Sequence, residues 1–178
     1  VHRDTGQKVL MKLEKPIEVI PYPVRHFEED PSFDIDLEYD FNYLAVAQWS
    51  ARKNIERTIK WFVEENIDQE VGLVLKTNSQ ANCVIDKEYT LEQRLRPLLN
   101  QYPDRKCKIY LLHGDMTPEE LTSLYNHPKI KCMVSLTHGE GYGLPLFEAA
   151  YNGLPIIAPG WSGQNDFLYA SVPGPGGG

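Results

Sequence analysis

Residues 131–158 read KCMVSLTHGEGYGLPLFEAAYNGLPIIA, and the order of residue types in this stretch sets the fold. Lys131–Leu136 is an apolar run too short for a buried helix and suited to a strand. Glycines 139, 141 and 143 interrupt it. Pro145 then opens a helix that runs to about Asn152, with Gly153 as its stop. Leu154–Ala158 follows as a second short apolar run. Strand, glycine loop, helix and strand fit within 28 residues.

The same alternation extends back along the chain. Tyr43–Ala47, Val71–Leu75 and Lys108–Leu112 are further strand-like runs, apolar throughout, as expected when both faces of a parallel sheet are covered. Ile55, Ile59, Phe62 and Val63 fall at i, i+4, i+7 and i+8, and so do Leu91, Leu95, Leu98 and Leu99, which predicts two helices. Pro97 inside the second pattern marks a kink or an early end. A third helix has Thr117 as N-cap, Pro118 at its first position and Glu120 closing a capping box. Five such alternations predict an α/β fold: a Rossmann-like, doubly wound parallel sheet with helices on both faces. In such sheets ligands bind at the carboxyl ends of the strands. Five polar loops fall there: Gln48–Asn54, Lys76–Asn78, His113–Asp115, Thr137–Gly143 and Gly160–Gly163.

Composition bounds the function. The chain has 178 residues, 42% of them hydrophobic, with 18 basic and 25 acidic side chains for a net charge of −7. That balance argues against a nucleic-acid partner, which needs a basic face for the phosphates. Cys83, Cys107 and Cys132 are odd in number and far apart, so they read as free thiols of a reducing, cytoplasmic compartment. No stretch approaches the length of about 18 apolar residues that spans a membrane.

The chain divides into three parts. Residues 1–40 form a proline-interrupted, acidic approach segment, residues 41–170 the domain, and residues 171–178 a disordered Gly/Pro tail. Opening on Val1 without an evident beginning, the chain reads as a fragment.

The chemistry concentrates between Thr137 and Gly153. The three glycines let backbone approach a ligand closely. The helix that opens at Pro145 presents free N–H groups and a positive dipole end, which attract phosphate. Glu140 precedes this helix and Glu148 lies about one turn inside it. Helical side chains lean toward the N-terminus, so both carboxylates can border the bound group and accept hydrogen bonds from paired hydroxyls. A dinucleotide fingerprint would need a third glycine at Leu144 and is absent. Taken alone, the residues also fit a tight turn and a helix-dipole partner.

Glu140 and Glu148, with seven residues between them inside HGEGYGLPLFEAAYNGLPIIAPGWSG, resemble the E-x7-E signature of retaining group 1 glycosyltransferases of the GT-B fold. The resemblance runs from about Pro21 to Phe167 and identifies the chain as the C-terminal half of such an enzyme. It implies that Glu140 contacts the donor sugar and Glu148 the ribose. The amides of Gly141, Tyr142, Gly143 and Leu144 would hold the diphosphate of a UDP-, GDP- or ADP-sugar. Lys53 matches the family lysine on the diphosphate and joins Glu140 as a catalytic candidate. The usual arginine five residues earlier is Gln48, which leaves Arg52 as the second cation. His113 and Gly114 would border the base, and His138 the sugar.

The resemblance implies no cofactor and no metal. It implies a glycan, lipid or other acceptor, and an N-terminal domain that completes the cleft, without which the fragment is expected to be inactive. It leaves peripheral membrane association of the whole enzyme open. Asp34-Ile35-Asp36 has the form of a metal-binding D-x-D, but it sits in the acidic approach segment and reads as surface. Two other readings stay open: a non-catalytic nucleotide-sugar-binding module, favoured by Gln48, and a sugar-nucleotide epimerase of the same fold.

Overall fold

The computed structural model describes residues 15–169, apart from 19, 21 and 24. The expected Gly/Pro tail at 171–178 lies outside the described residues. Five parallel strands form one sheet: β1 (Asn42–Val46), β2 (Gly72–Lys76), β3 (Lys108–Leu112), β4 (Ile130–Val134) and β5 (Ile156–Ile157). Their spatial order is β3-β2-β1-β4-β5, with β1 registered on β2 from Asn42↔Gly72 to Val46↔Lys76. The chain winds outward from β1 to β3 and then returns to lay β4 on the other side of β1. The order reverses between β1 and β4, which opens a crevice at their carboxyl ends.

Side chains alternate across the sheet and build a core on each face. Ala45, Leu73 and Leu75 meet Ile55, Ile59, Phe62 and Val63 of helix α1 (Ile55–Asn66) on one face. Leu44, Val74 and Met133 meet Leu124 of α4 (Pro118–Asn126) and Leu146 and Ala149 of α5 (Leu144–Tyr151) on the other. The four α1 positions picked out by periodicity are at most 3% exposed, and full burial stabilises by about 1.5–3 kcal/mol per large apolar side chain. Phe33, Ile35 and Leu37 of the approach segment pack into the second core, while Asp34 and Asp36 face solvent.

The second helical pattern is irregular next to Pro97, where a kink or an early end was expected. The chain stays helical through α2 (Val84–Tyr89), a π-helical stretch (Thr90–Leu95) and α3 (Arg96–Leu99). An α-helix would drive the Pro97 ring into the carbonyl of Gln93 and lose a hydrogen bond there. The wider π turns just before it relieve that conflict, so the proline distorts the helix without ending it. Leu95 and Leu98 stay buried. The capping box of α4 forms as read: Thr117 Oγ1 accepts from the Glu120 N–H at 3.2 Å, and Glu120 Oε2 accepts from the Thr117 N–H at 2.7 Å. A short α6 (Asn165–Leu168) closes the described chain. Cys107 and Cys132 are buried and Cys83 exposed, all three as free thiols.

Candidate functional site

Two loops meet at the crevice. The loop after β1 runs to Asn54, which is left-handed (φ 56°) and initiates α1. The loop after β4 runs to Gly143, also left-handed (φ 93°), which initiates α5. Three hydrogen bonds hold them side by side. The His138 N–H and the Thr137 hydroxyl donate to the Arg52 carbonyl at 2.9 and 3.2 Å, and the Asn54 side-chain amide donates to Leu136 O at 2.9 Å. Lys53 and Glu140, 87 positions apart, are brought into contact by this seam.

Glu140 is the electrostatic centre. Its side chain is only 8% exposed. Lys53 Nζ donates to both carboxylate oxygens at 2.6 and 2.7 Å, and Arg52 Nη1 donates to Oε2 at 3.1 Å and to Gly139 O at 2.6 Å. Burial alone would raise the Glu140 pKa. The Lys53 hydrogen bond and charge, with help from Arg52 and Thr137, outweigh it and hold the carboxyl below its ordinary value.

The loop after β5 fixes Glu140 from behind. Ser162 Oγ accepts from the Glu140 N–H at 2.7 Å and donates to the Glu140 carbonyl at 2.6 Å, and the Gly163 N–H donates to the same carbonyl at 3.1 Å. A Cβ on Gly163 would lie 2.1 Å from Gly141 O, so only glycine allows this approach. Ser162 and Gly163 are positioning residues, which the sequence marked only as part of the polar loop Gly160–Gly163 on the rim. The available signal was a Ser-Gly pair directly after a strand on the same rim.

Among the described residues, the glycine loop between Glu140 and α5 leaves its amides unpaired: those of Gly141, Tyr142, Gly143 and Leu144 donate no hydrogen bond to protein. For Leu144, in the first turn of α5, that is the ordinary state of a helix start. A side chain on Gly141 would meet nothing within 4 Å. The Tyr142 ring is anchored on Phe147 and Phe167, with centroids 5.5 and 5.1 Å away, and Tyr22 of the approach segment lies 5.5 Å from it. Tyr142 therefore offers its amide while its ring pins the loop.

Beside this loop a cleft of about 410 Å³ is lined by Gln48, Lys53, Lys76, Asn78, Gly114 and Pro145. Gln48 donates to Ser79 O at 3.3 Å. Lys76 donates to Gly114 O, and burial lowers its pKa despite the charges of Asp115 and Glu120. Met116 and Leu121 are shared with a second cavity of about 240 Å³, into which Glu148 and Tyr125 face. Tyr125 Oη donates to Glu148 Oε2 at 3.2 Å. Desolvation raises the Glu148 pKa, partly offset by that hydrogen bond.

Two candidates are placed differently from the rest. The His113 ring is buried and pairs with Asp86 at 2.8 Å; Asp86 also accepts from the amides of Ser79 and Gln80. Its side chain fastens α2 to the sheet, and the residue meets the cleft only through the backbone that leads to Gly114 (φ 105°). His138 is exposed, and its carbonyl accepts from Trp161 Nε1 at 3.3 Å. Among the described residues, no group of three His, Cys, Asp or Glu converges to hold a metal. No described helix is long and apolar enough to cross a membrane.

No family model matches the chain. The serotype-specific mannosyltransferase WbdA of Escherichia coli is 27% identical over 119 residues, which cover 65% of this chain and 13% of that protein. The chain thus spans about an eighth of the length of this curated relative. Among solved structures, S. aureus TarM matches with a TM-score of 0.52 and 13% identity over 83% of this chain and 26% of that one. OtsA matches with a TM-score of 0.50 and 14% identity over 73% of this chain and 31% of that one. In fold the described residues match Rossmann-like GT-B glycosyltransferase structures, and a mannosyltransferase is among the chain's sequence relatives.

Proposed function

We propose that this chain binds a nucleoside diphosphate sugar and forms the donor half of a retaining glycosyltransferase active site. The observation that carries the reading is the juxtaposition of Lys53, Glu140 and the free amides at the start of α5 in one crevice. The mannosyltransferase relative supports sugar transfer. The TarM structure of like fold is a complex with UDP, which supports a nucleotide in the crevice.

In this reading the diphosphate lies along the amides of Gly141, Tyr142, Gly143 and Leu144, with Lys53 and Arg52 as its cations. Glu148, in the adjoining cavity, accepts from the ribose hydroxyls, and the base continues past Gly114 and Met116. Transfer breaks the bond from the anomeric carbon to the diphosphate oxygen, and that electron pair leaves with the diphosphate. The acceptor oxygen bonds to the same carbon as its proton departs. Charge grows on the leaving diphosphate, where fixed amides, the α5 dipole and Lys53 stabilise it most in the transition state. This assigns the charge stabilisation to protein groups, with no metal. An N-terminal domain completes the acceptor face, so the chain alone binds donor without turnover.

Glu148→Ala tests the assignment. We expect nucleotide binding by calorimetry to fall at least tenfold, the worth of a lost hydrogen bond to a charged group at about 1.5–3 kcal/mol. The melting temperature should stay near wild type, because the variant also removes a partly desolvated charge. Unchanged affinity would remove Glu148 from the site.

A further inference from the structure

The other side of the Trp49–Asn54 loop carries a second basic concavity. A groove of about 550 Å³ runs between the first turns of α1 and the π-helical stretch, lined by Trp49, Ser50, Arg57, Lys60 and Arg94 among others. It does not share Lys53 or any other residue with the cleft described above. Of its charged residues, Lys60 is neutralised by Glu56 at 3.2 Å. Among the described residues neither Arg57 nor Arg94 has an ion-pair partner, although Arg94 lies 5.6 Å over the Tyr89 ring. The lining therefore carries a net charge of about +2 in a chain whose net charge is −7.

Two guanidinium groups facing one groove from different elements are an arrangement suited to an anion with several acceptor oxygens. Arginine presents a fork of donors that fits phosphate, and forks from opposite walls can share one such group. Arg94 reaches the groove from the π-helical stretch, a local geometry frequently found at functional sites.

We propose that this groove binds the phosphate group of a second ligand, distinct from the donor diphosphate. Resting on the glycosyl-transfer reading, that ligand is the acceptor. The Trp49–Asn54 loop has Lys53 on its donor side and Trp49, Ser50, Ala51 and Asn54 on the groove side. A phosphate held there would sit one loop's thickness from the donor, where it could orient an acceptor hydroxyl toward the crevice. The same chemistry is offered by a soluble sugar phosphate and by an anionic lipid headgroup.

The full 178-residue chain can be titrated with inorganic phosphate and with glycerol 3-phosphate while backbone amide resonances are followed. Shifts should concentrate on Trp49–Arg57 and Arg94. Arg57→Gln and Arg94→Gln should each weaken binding roughly tenfold, the size of one charge-assisted contact. Arg94→Lys should lose less, since the charge remains. Both arginines are exposed, so melting temperatures should be unchanged and UDP-induced shifts at Gly141–Leu144 retained. Co-sedimentation with phosphatidylglycerol but not phosphatidylcholine vesicles, lost in the same variants, would support a lipid headgroup as the source. Tighter binding of glycerol 3-phosphate than of phosphate without vesicle binding would support a soluble one. Equal affinity in wild type and both glutamine variants, or shifts confined to Lys53 and Gly141–Leu144, would overturn the proposal. Loss of UDP shifts with the groove still binding phosphate would instead sink the donor-site reading.

Discussion

Glu140 holds two cations that a diphosphate would also attract. Lys53 Nζ contacts both of its oxygens and Arg52 contacts one, so anion binding has to draw positive charge away from a nearly buried carboxylate. Glu140→Gln keeps the shape and removes the competitor. We expect it to raise affinity for UDP several-fold in calorimetry while abolishing transfer in the whole enzyme; weaker UDP binding would show that Glu140 does not compete for Lys53. A pH test follows from the depressed pKa. Because the folded pKa lies below the unfolded value of about 4.3, the ionised pair stabilises the fold fully above that value. The contribution disappears as pH falls through the folded pKa. The stability gap between wild type and Glu140→Gln should therefore be present at pH 7, and in urea titrations it should begin to narrow below about pH 4.3 and close as the pH falls through the lower folded pKa. Part of this residue-scale picture was legible: Glu140 and the glycine loop stand out by type and order, whereas Lys53 was singled out by the family resemblance, and the structure brings it to Glu140. The direction of the His113 ring was not, because nothing local to residue 113 reveals that Asp86, 27 positions earlier, will claim it.

At the scale of elements, the site is a loop held in place by another loop. Gly163 permits a backbone approach that a Cβ would fill at 2.1 Å from Gly141 O, and Gly141 itself faces open space. The two glycines should therefore respond oppositely. Gly163→Ala must displace backbone on both sides, and overpacking of this kind costs about 1–3 kcal/mol, read as a lower melting temperature. Gly141→Ala should leave the melting temperature nearly unchanged and weaken nucleotide binding by crowding the ligand. If both variants lost stability equally, Gly141 would be a structural glycine. Elements were legible where one face decides them: α1 from its apolar stripe, α4 from its capping box, the strands to within about two residues at most of their ends. The π-helical stretch was not, since Pro97 announces a conflict without announcing how the backbone resolves it. The Ser162–Gly163 support was equally hidden, because it depends on β5 delivering that loop behind residue 140, a contact 22 positions long.

At the scale of the molecule, the reversal of strand order between β1 and β4 does the assembling. It places the β1 loop with Lys53 beside the β4 loop with Glu140, and it aims the N-terminus of α5 into the same crevice. Alternating apolar runs were enough to foretell a doubly wound sheet, and the rule that ligands bind at strand carboxyl ends then named the rim. The order of the strands was beyond local pattern, since it depends on which neighbours pair after the chain has wound out to β3. The most direct measurement is calorimetric titration of the chain with UDP, GDP and ADP, each against its monophosphate. The account predicts saturable binding of at least one diphosphate, clearly tighter than its monophosphate and lost in Lys53→Ala. Absence of binding by all three, or binding indifferent to Lys53→Ala, would contradict it.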